Sequence, residues 1–438
     1  TPEELGVGVF ILGIMELFSF FFTSIVDSSF ISVKNIEDKN NGTVFWSSLI
    51  LSLITSVILV FGLSIYYSDS HLILMVIVAS TYIPLQALSR VHIVHLRRAG
   101  QFKSLAQRSI FGKVVGMLVA IALAIYGFGT WALIAQAVIM SLVSSVTVLI
   151  AYKVKIPFNI ELPFLYRLVA IGLPASAKAF SSMSLLRGLV VMIETTLGSA
   201  QLGYFNFASR LVQLPRDAIN GVILGYAYPV ISNRKNSGAD IDVFFLQATK
   251  FSLYAVLPLF FGFAVLAEPV VGLFFEDKWL PSIFLTHILA LVTAASLYSL
   301  LIPSYLVATQ NTFRGLKGEI IGSVLAFICY LFLYQKFDIL AAVIALIVRL
   351  IVVLPVNISV MLRVSSIKLT TLLHVFIKPT LCSLAMYLTI LALPLVFELS
   401  LSVRIVLSLA LGAFIYIAMC LLIEKSLFID FKRFLKSG

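Results

Sequence analysis

The chain has 438 residues, 61% of them hydrophobic and only 12% charged, with a mean hydropathy of +1.08. Soluble domains use about 45–50% apolar residues, so this composition excludes one and indicates an all-α polytopic membrane protein. A bilayer core needs about 20 apolar residues per helix and leaves no backbone group unbonded, and the residue alternation of a β-barrel is absent.

Reading for apolar runs gives thirteen spans: Leu5–Val26, Val44–Tyr66, Leu72–Leu88, Ser109–Gly127, Trp131–Tyr152, Tyr166–Ile193, Leu202–Ile231, Phe251–Phe274, Ser282–Leu306, Ile320–Tyr334, Ile339–Val360, Thr371–Leu395 and Val403–Ile423. Alternate loops collect the cations: Lys34 and Lys39; Arg90, Arg97, Arg98, Lys103 and Arg108; Lys153, Lys155 and Arg167; Arg234, Lys235 and Lys250; Arg314 and Lys317; Arg363, Lys368 and Lys378; and the tail from Lys425 to Lys436. The intervening loops hold Lys278, Lys336 and Arg404. The cation-rich side is the cytoplasmic one, which places the C-terminus there. It also accounts for the net charge of +11 through anionic headgroups rather than nucleic acid.

Cys329, Cys382 and Cys420 sit in apolar runs with no pairing pattern and read as small hydrophobes. His92 and His95 have no second ligand pair and read as part of a solvated basic loop, so no metal is expected. The segment Gly112–Gly116, "GKVVG", lacks P-loop spacing, and no cofactor or catalytic residue is indicated.

The chain repeats itself. "TPEELGVGVF" from Thr1 is similar to "GSAQLGYFNF" from Gly198, "VFW" from Val44 to "VFF" from Val243, "GKVVGMLVAIALAI" from Gly112 to "GEIIGSVLAFICYL" from Gly318, and "FGTWALIAQA" from Phe128 to "FDILAAVIAL" from Phe337. Two pseudo-symmetric six-helix lobes follow, both facing the same way, with the substrate site expected between them near the midplane. The span at Tyr166 opens the second copy, so its counterpart would precede Thr1; a fourteenth helix is expected there. The expected layout is an N-lobe over 1–152, a cytoplasmic linker over 153–165, a C-lobe over 166–362, and two further helices with a basic tail over 363–438.

Charge inside the membrane is the functional signal, because each charge near the bilayer centre costs at least about 2.5–3.5 kcal/mol. In "GYFNFASRLVQLPRDAINGVILG", from Gly203 to Gly225, the residues Gly203, Asn206, Arg210, Gln213, Asp217 and Gly221 fall along one helical stripe. Arg210 and Asp217 read either as a structural ion-pair network or as the lining of an anion-binding cavity. Arg216 lies off the stripe, and Pro215 can redirect it by kinking the helix.

Lys178, Arg187 and Arg349 are further candidate substrate cations, each with a structural ion pair as its alternative. Glu16 aligns with Gln213 through the repeat and reads as a coupling or cavity acid, or as a structural one. Lys113 and Glu319 lie near the cytoplasmic edge, where snorkelling suffices. Glu194 reads as interfacial. An excess of fixed cations suits a phosphate-bearing substrate, since guanidinium binds phosphate oxygens through paired bonds.

"LGYFNFASRLVQLPRDAING", "AVLAEPVVGLFFEDKWLPS" from Ala264 and "GFGTWALIAQA" from Gly127 together resemble the polysaccharide and O-antigen flippase family, which includes exporters of colanic and teichuronic acid repeat units. That family belongs to the multidrug/oligosaccharidyl-lipid/polysaccharide exporter superfamily. The resemblance implies fourteen helices, two of them C-terminal extras, and transport of an undecaprenyl-diphosphate-linked oligosaccharide across the bacterial inner membrane, with polysaccharide assembly proteins as partners. By position Arg210 matches the basic residue of the family's "RLVQLP" motif, and Arg216 lies just beyond it. The acid such families place in the preceding span is replaced here by Lys178 and Arg187. A multidrug exporter of the same superfamily, a membrane polysaccharide polymerase or ligase, and a lipid-flipping scaffold without sugar specificity are the competing readings.

Overall fold

The computed structural model describes residues 1–32, 37–236, 240–309, 311–397 and 400–425. Among them every regular element is helical, and eleven stretches are long and apolar enough to cross a membrane. Two compact units divide the chain, Thr1–Gly203 and Tyr204–Gly438.

The first unit holds α1 (Pro2–Ser32), α2 (Asp38–Tyr66), α3 (Ser70–Ser80), α4 (Tyr82–Arg98), α5 (Phe102–Ile125), α6 (Thr130–Ala151) and α7 (Leu162–Leu197). α8 (Ser199–Asn236) begins in the first unit and continues into the second, which also holds α9 (Ile241–Phe274), α10 (Ile283–Ser296), α11 (Ile302–Ala308), α12 (Leu316–Phe337), α13 (Leu340–Val364), α14 (Leu369–Val396) and α15 (Leu401–Ile423). Every expected span lands on a helix. The two that fall outside the eleven apolar crossings are α7 and α8, of 36 and 38 residues, the pair that carries Lys178, Arg187, Arg210, Arg216 and Asp217.

Several expectations are corrected. The span read as Leu72–Leu88 is two helices, α3 and α4, that run on to Arg98, so Arg90, Arg97 and Arg98 are helical rather than loop residues. His92 is buried in α4, and His95 Nε2 lies 2.8 Å from Asn41 Oδ1, so neither belongs to a solvated loop. The span at Ser282–Leu306 is likewise interrupted, by a short 3-10 turn at Leu297–Ser299 between α10 and α11.

Prolines explain where the ladders open and what closes them. A proline has no N–H and frees the carbonyl four residues back. Pro84 frees Ser80 O next to the break between α3 and α4, and Ser56 Oγ of α2 donates to it at 2.9 Å. Pro258 inside α9 frees Tyr254 O, which accepts from Tyr416 OH of α15 at 2.5 Å. At these two prolines a hydroxyl from a neighbouring helix fills the gap, in place of the water an apolar interior lacks.

Glycines set the closest helix approaches. The sequence-matched pair Gly6 and Gly203 forms a reciprocal contact within the first unit: a Cβ on Gly6 would overlap Ser199 O, and one on Gly203 would overlap Pro2 O. Pro2 and Ser199 are separated by the same offset as the two glycines, so the repeat read in the sequence is also a symmetry of backbone contact. In the same way "GKVVG" and "GEIIG" pack α5 on α6 and α12 on α13. A Cβ on Gly112 would sit 2.8 Å from Met140 O, on Gly116 2.9 Å from Gln136 O, on Gly318 2.5 Å from Val356 Cγ1 and on Gly322 2.7 Å from Val353 Cγ2. The four-residue spacing returns both glycines to one face, the small-residue packing common between membrane helices. The segment between α6 and α7 lies on the start of α2, where Asn41 Nδ2 donates to Lys155 O and Thr43 Oγ1 accepts from Glu161 N.

In the second unit Glu424, just past α15, accepts from Lys250 Nζ of α9 at 2.9 Å and from Lys378 Nζ of α14 at 2.6 Å. Burial pushes its carboxyl up, but the two ammonium groups outweigh this through their hydrogen bonds and charge, so its pKa lies below the ordinary carboxylate value. Because the folded value is depressed, the triad stabilises the fold above the unfolded-state pKa of about 4.3, and that contribution is lost as pH falls through the folded value.

Gly116→Leu is expected to part α5 from α6 at a cost of about 1–3 kcal/mol or more, seen as a lowered unfolding midpoint in detergent. Gly62→Ala, where no atom lies within 4 Å, should leave the midpoint unchanged or raise it by up to about 1 kcal/mol of helix propensity. For the triad, the wild type should be more stable than Glu424→Gln near neutral pH, and the difference should close as the pH is lowered below about 4. A gap that persists in acid would contradict the assignment.

Candidate functional site

The helix α8 is continuous across Pro215. Its first turns are held by buried Leu202, Gly203, Phe205, Ala208 and Val212, and from Arg210 onward one face is exposed, with Arg210, Leu214, Asp217 and Gly221 along it. The stripe read from the sequence therefore emerges from packing at Arg210. Asn206 and Gln213 flank it half-buried, and Leu214 stands 71% exposed between Arg210 and Asp217.

Arg216, off the stripe, is half-buried, and its Nε is buried with no hydrogen-bond partner among the described residues. Asp217 and Arg349 of α13 are the charges within its electrostatic reach. Arg349 Nη2 donates to Glu319 Oε2 of α12 at 2.6 Å, while its Nε is also buried without a partner. Glu319, only 12% exposed, does not snorkel to the membrane edge. It neutralises a cation one helix away. The side-chain carbonyl oxygens of Asn206 and Asn220 on α8 are buried as well, with no partner among the described residues.

At the start of the same helix Phe207 stacks on Trp279 at 4.2 Å between ring centroids, and Tyr204 meets the same indole edge-on at 6.4 Å. The stretches "GYFNF" and "FFEDKW", far apart in sequence, thus form one aromatic cluster.

In the first unit Arg187 of α7 and Glu16 of α1 form an ion pair. Two residues that the sequence offers as separate candidates, a substrate cation and a coupling acid, are partners along the α1–α7 contact. Lys178 lies on α7 at a position whose side chain is outside the described residues. Glu194, in the last turn of α7, is buried and accepts from Ser199 Oγ at 2.6 Å.

Two features escaped sequence reading. Asp27 of α1 accepts from Arg90 Nη1 at 3.2 Å and from Arg97 Nη1 at 2.8 Å, both of α4. Its spacing of eleven residues from Glu16 puts both acids on one face of α1, a signal that was available. The second is an apolar groove of about 450 Å³ in the second unit, lined by Leu354 and Ile358 of α13, by Leu369, Leu373, Phe376 and Ile377 of α14, and by Tyr298. It is assembled from residues too ordinary to be singled out in a hydrophobic chain.

A family model described as a polysaccharide biosynthesis protein matches residues 1–284. The succinoglycan biosynthesis transport protein ExoT of Rhizobium meliloti is 23% identical over 288 residues, 64% of this chain and 57% of that protein. The teichuronic acid biosynthesis protein TuaB of Bacillus subtilis is 27% identical over 103 residues, 24% of this chain and 21% of that one. The matched segments thus span little more than half of the first relative and about a fifth of the second. Among solved structures, the lipid II flippase MurJ in an inward closed conformation is similar at a TM-score of 0.75 and 18% identity, covering 97% of this chain and 94% of that one. An inward-facing multidrug resistance MATE family transporter of the MOP superfamily is similar at a TM-score of 0.63 and 17% identity, covering 83% and 91%. The fold is therefore that of these transporters, and with the family model covering well over half of its length, this multi-pass membrane chain belongs to the polysaccharide biosynthesis protein family.

Proposed function

We propose that this protein is a flippase that moves undecaprenyl-diphosphate-linked oligosaccharide repeat units across the bacterial inner membrane by alternating access, for surface polysaccharide biosynthesis. The observation that carries the reading is the cationic region of the second unit. Arg210 lies on the exposed face of α8, and the Nε atoms of Arg216 and Arg349 are buried donors with no protein acceptor among the described residues. Buried donors are seldom left unpaired, and a diphosphate supplies acceptors that guanidinium groups bind with paired bonds.

In this reading Arg210, Arg216 and Arg349 engage the diphosphate. Asn206 and Gln213 bond sugar hydroxyls, each of which would cost several kcal/mol if buried unpaired. The polyprenyl tail follows lipid and the apolar groove beside α13 and α14. Arg187 and Glu16 act together, holding α1 to α7, and Lys178 assists from α7. Asp217 limits the net positive charge of the α8 face. The cation-rich ends face the cytoplasm, so the C-terminus lies there. Polysaccharide assembly enzymes act before and after the transport step.

Deleting the gene should leave lipid-linked repeat units on the cytoplasmic leaflet and remove surface polymer. Complementation with Arg210→Ala should restore transport at least about tenfold less well than the wild-type gene, since a charged hydrogen bond contributes about 1.5–3 kcal/mol. Undiminished surface polymer in the deletion strain would refute the flippase reading. The likeness to a multidrug transporter favours one alternative, and export of a cationic dye that is insensitive to Arg210→Ala would establish it. For the α1–α7 pair, Glu16→Arg and Arg187→Glu should each lower folded yield, and the double exchange should recover at least half of it. A substrate-contacting Arg187 would instead leave the yield intact and lose transport in both the single and the double variants.

A further inference from the structure

A second cationic site lies wholly within the first unit. A cavity of about 150 Å³ between α4, α5 and α6 is lined by Gln86, Ser89 and Arg90 of α4, by Arg108, Ser109 and Lys113 of α5, and by Ser141, Ser144 and Ser145 of α6. Three cations and five serines face this small volume, and no carboxylate lines it. The charges that act on Arg108 are Arg90, Arg97 and Asp27. Asp27 is already shared between Arg90 and Arg97. One carboxylate therefore stands against four cations.

The hydrogen bonds are equally incomplete. Arg90 places one Nη on Asp27 and the other on Gln86 Oε1 at 2.9 Å, but its Nε is buried and unpartnered. Arg108 Nε and Ser141 Oγ are likewise buried without partners among the described residues. Ser145 Oγ is used, donating to Leu85 O at 2.7 Å, and Ser144 Oγ reaches Arg108 O at 3.5 Å. Three unpaired buried donors inside a net positive pocket call for an oxyanion.

The repeat supplies a contrast. Lys113 follows the first glycine of "GKVVG", and Glu319 holds that place in "GEIIG". In the second unit that carboxylate neutralises Arg349. The first unit keeps a lysine instead and so retains its positive charge.

The surroundings of the cavity identify the carrier of the anion. Arg90, Ser141 and Ser145 form its deep side, and exposed Lys113 its mouth. Beside Lys113 the exposed face of α5 is a continuous apolar strip of Ile110, Phe111, Val114, Met117 and Leu118. Arg108 falls six residues into α5, about 9 Å along its axis, within reach of the headgroup layer, and the stem of Lys113 can extend toward the same level. Phosphate in the cavity with acyl chains along α5 satisfies both surfaces, as basic pockets between membrane helices do for acidic headgroups. We propose that this cavity binds the phosphate of an anionic phospholipid from the leaflet on its side of the membrane.

The test is native mass spectrometry of the full-length protein with phosphatidylglycerol, with phosphatidylcholine and with inorganic phosphate. Arg108→Gln and Lys113→Gln are compared with Lys103→Gln, which lies outside the cavity, and unfolding midpoints in lipid-free detergent monitor the fold. The wild type should retain phosphatidylglycerol over phosphatidylcholine, and Arg108→Gln should weaken that retention about tenfold or more. Lys113→Gln at the exposed mouth should weaken it less, and Lys103→Gln should leave it unchanged. If Arg108→Gln fails to fold, Ser141→Ala serves in its place, with a loss of about threefold or more expected. Equal retention by wild type and cavity variants would overturn the site. Inorganic phosphate binding as tightly as phosphatidylglycerol, with the same dependence on Arg108, would overturn the lipid assignment.

Discussion

The cost of holding charge away from water governs this structure more than any other constraint. In a low-dielectric interior an uncompensated ion costs several kcal/mol even after relaxation, so each charge must find a counter-ion, a polar cavity or a ligand. Three acids meet that demand for four arginines: Glu16 for Arg187, Asp27 for Arg90 and Arg97, and Glu319 for Arg349. Each pair joins two helices, α1 with α7, α1 with α4 and α12 with α13, and so helps to fix which helices are neighbours. What the pairs leave over is as informative as the pairs themselves, namely buried guanidinium nitrogens on Arg90, Arg108, Arg216 and Arg349 with no partner among the described residues.

Small residues and prolines make those pairings geometrically possible. Without side chains at Gly6 and Gly203, α1 and the start of α8 approach until backbone meets backbone; Gly112 and Gly116 do the same for α5 with α6, while Gly318 and Gly322 of α12 make room for the side chains of Val356 and Val353 of α13. Close approach replaces the hydrophobic drive that lipid cannot supply. Prolines loosen helices at chosen points, and the freed carbonyls of Ser80 and Tyr254 are claimed by hydroxyls from neighbouring helices. The openings in the ladder thus become inter-helix contacts instead of defects.

The two copies of the repeat have kept this scaffold and diverged in charge. Both conserve the packing glycines, yet Lys113 in one stands where Glu319 stands in the other. One position therefore opens a positive cavity in the first unit and closes an ion pair in the second. A repeated fold can in this way carry different charge at related places without any change of architecture.

Membrane spans, the internal repeat, the polar stripe of α8 and the family resemblance were all legible in the amino-acid sequence, because each depends on local periodicity or on a contiguous motif. Thirteen apolar runs became helices, and the matched glycines became matched contacts. Partner choice was not legible. Glu16 and Arg187 lie 171 residues apart, and either could have faced substrate; Arg349 reads as a candidate substrate cation and Glu319 as a residue of the cytoplasmic edge, with nothing local that ties one to the other. The partners of Asp27 were no more legible, and the basic residues from Arg90 to Arg108 resemble one solvated loop, whereas they lie on α4 and α5, with Arg90 and Arg108 lining a cavity beside the serines of α6 and residues 97–101 exposed. Periodicity tells which face of a helix a side chain occupies, but only tertiary packing decides what lies opposite that face. For a charge in an apolar medium, what lies opposite determines whether it is a structural tie or a binding group.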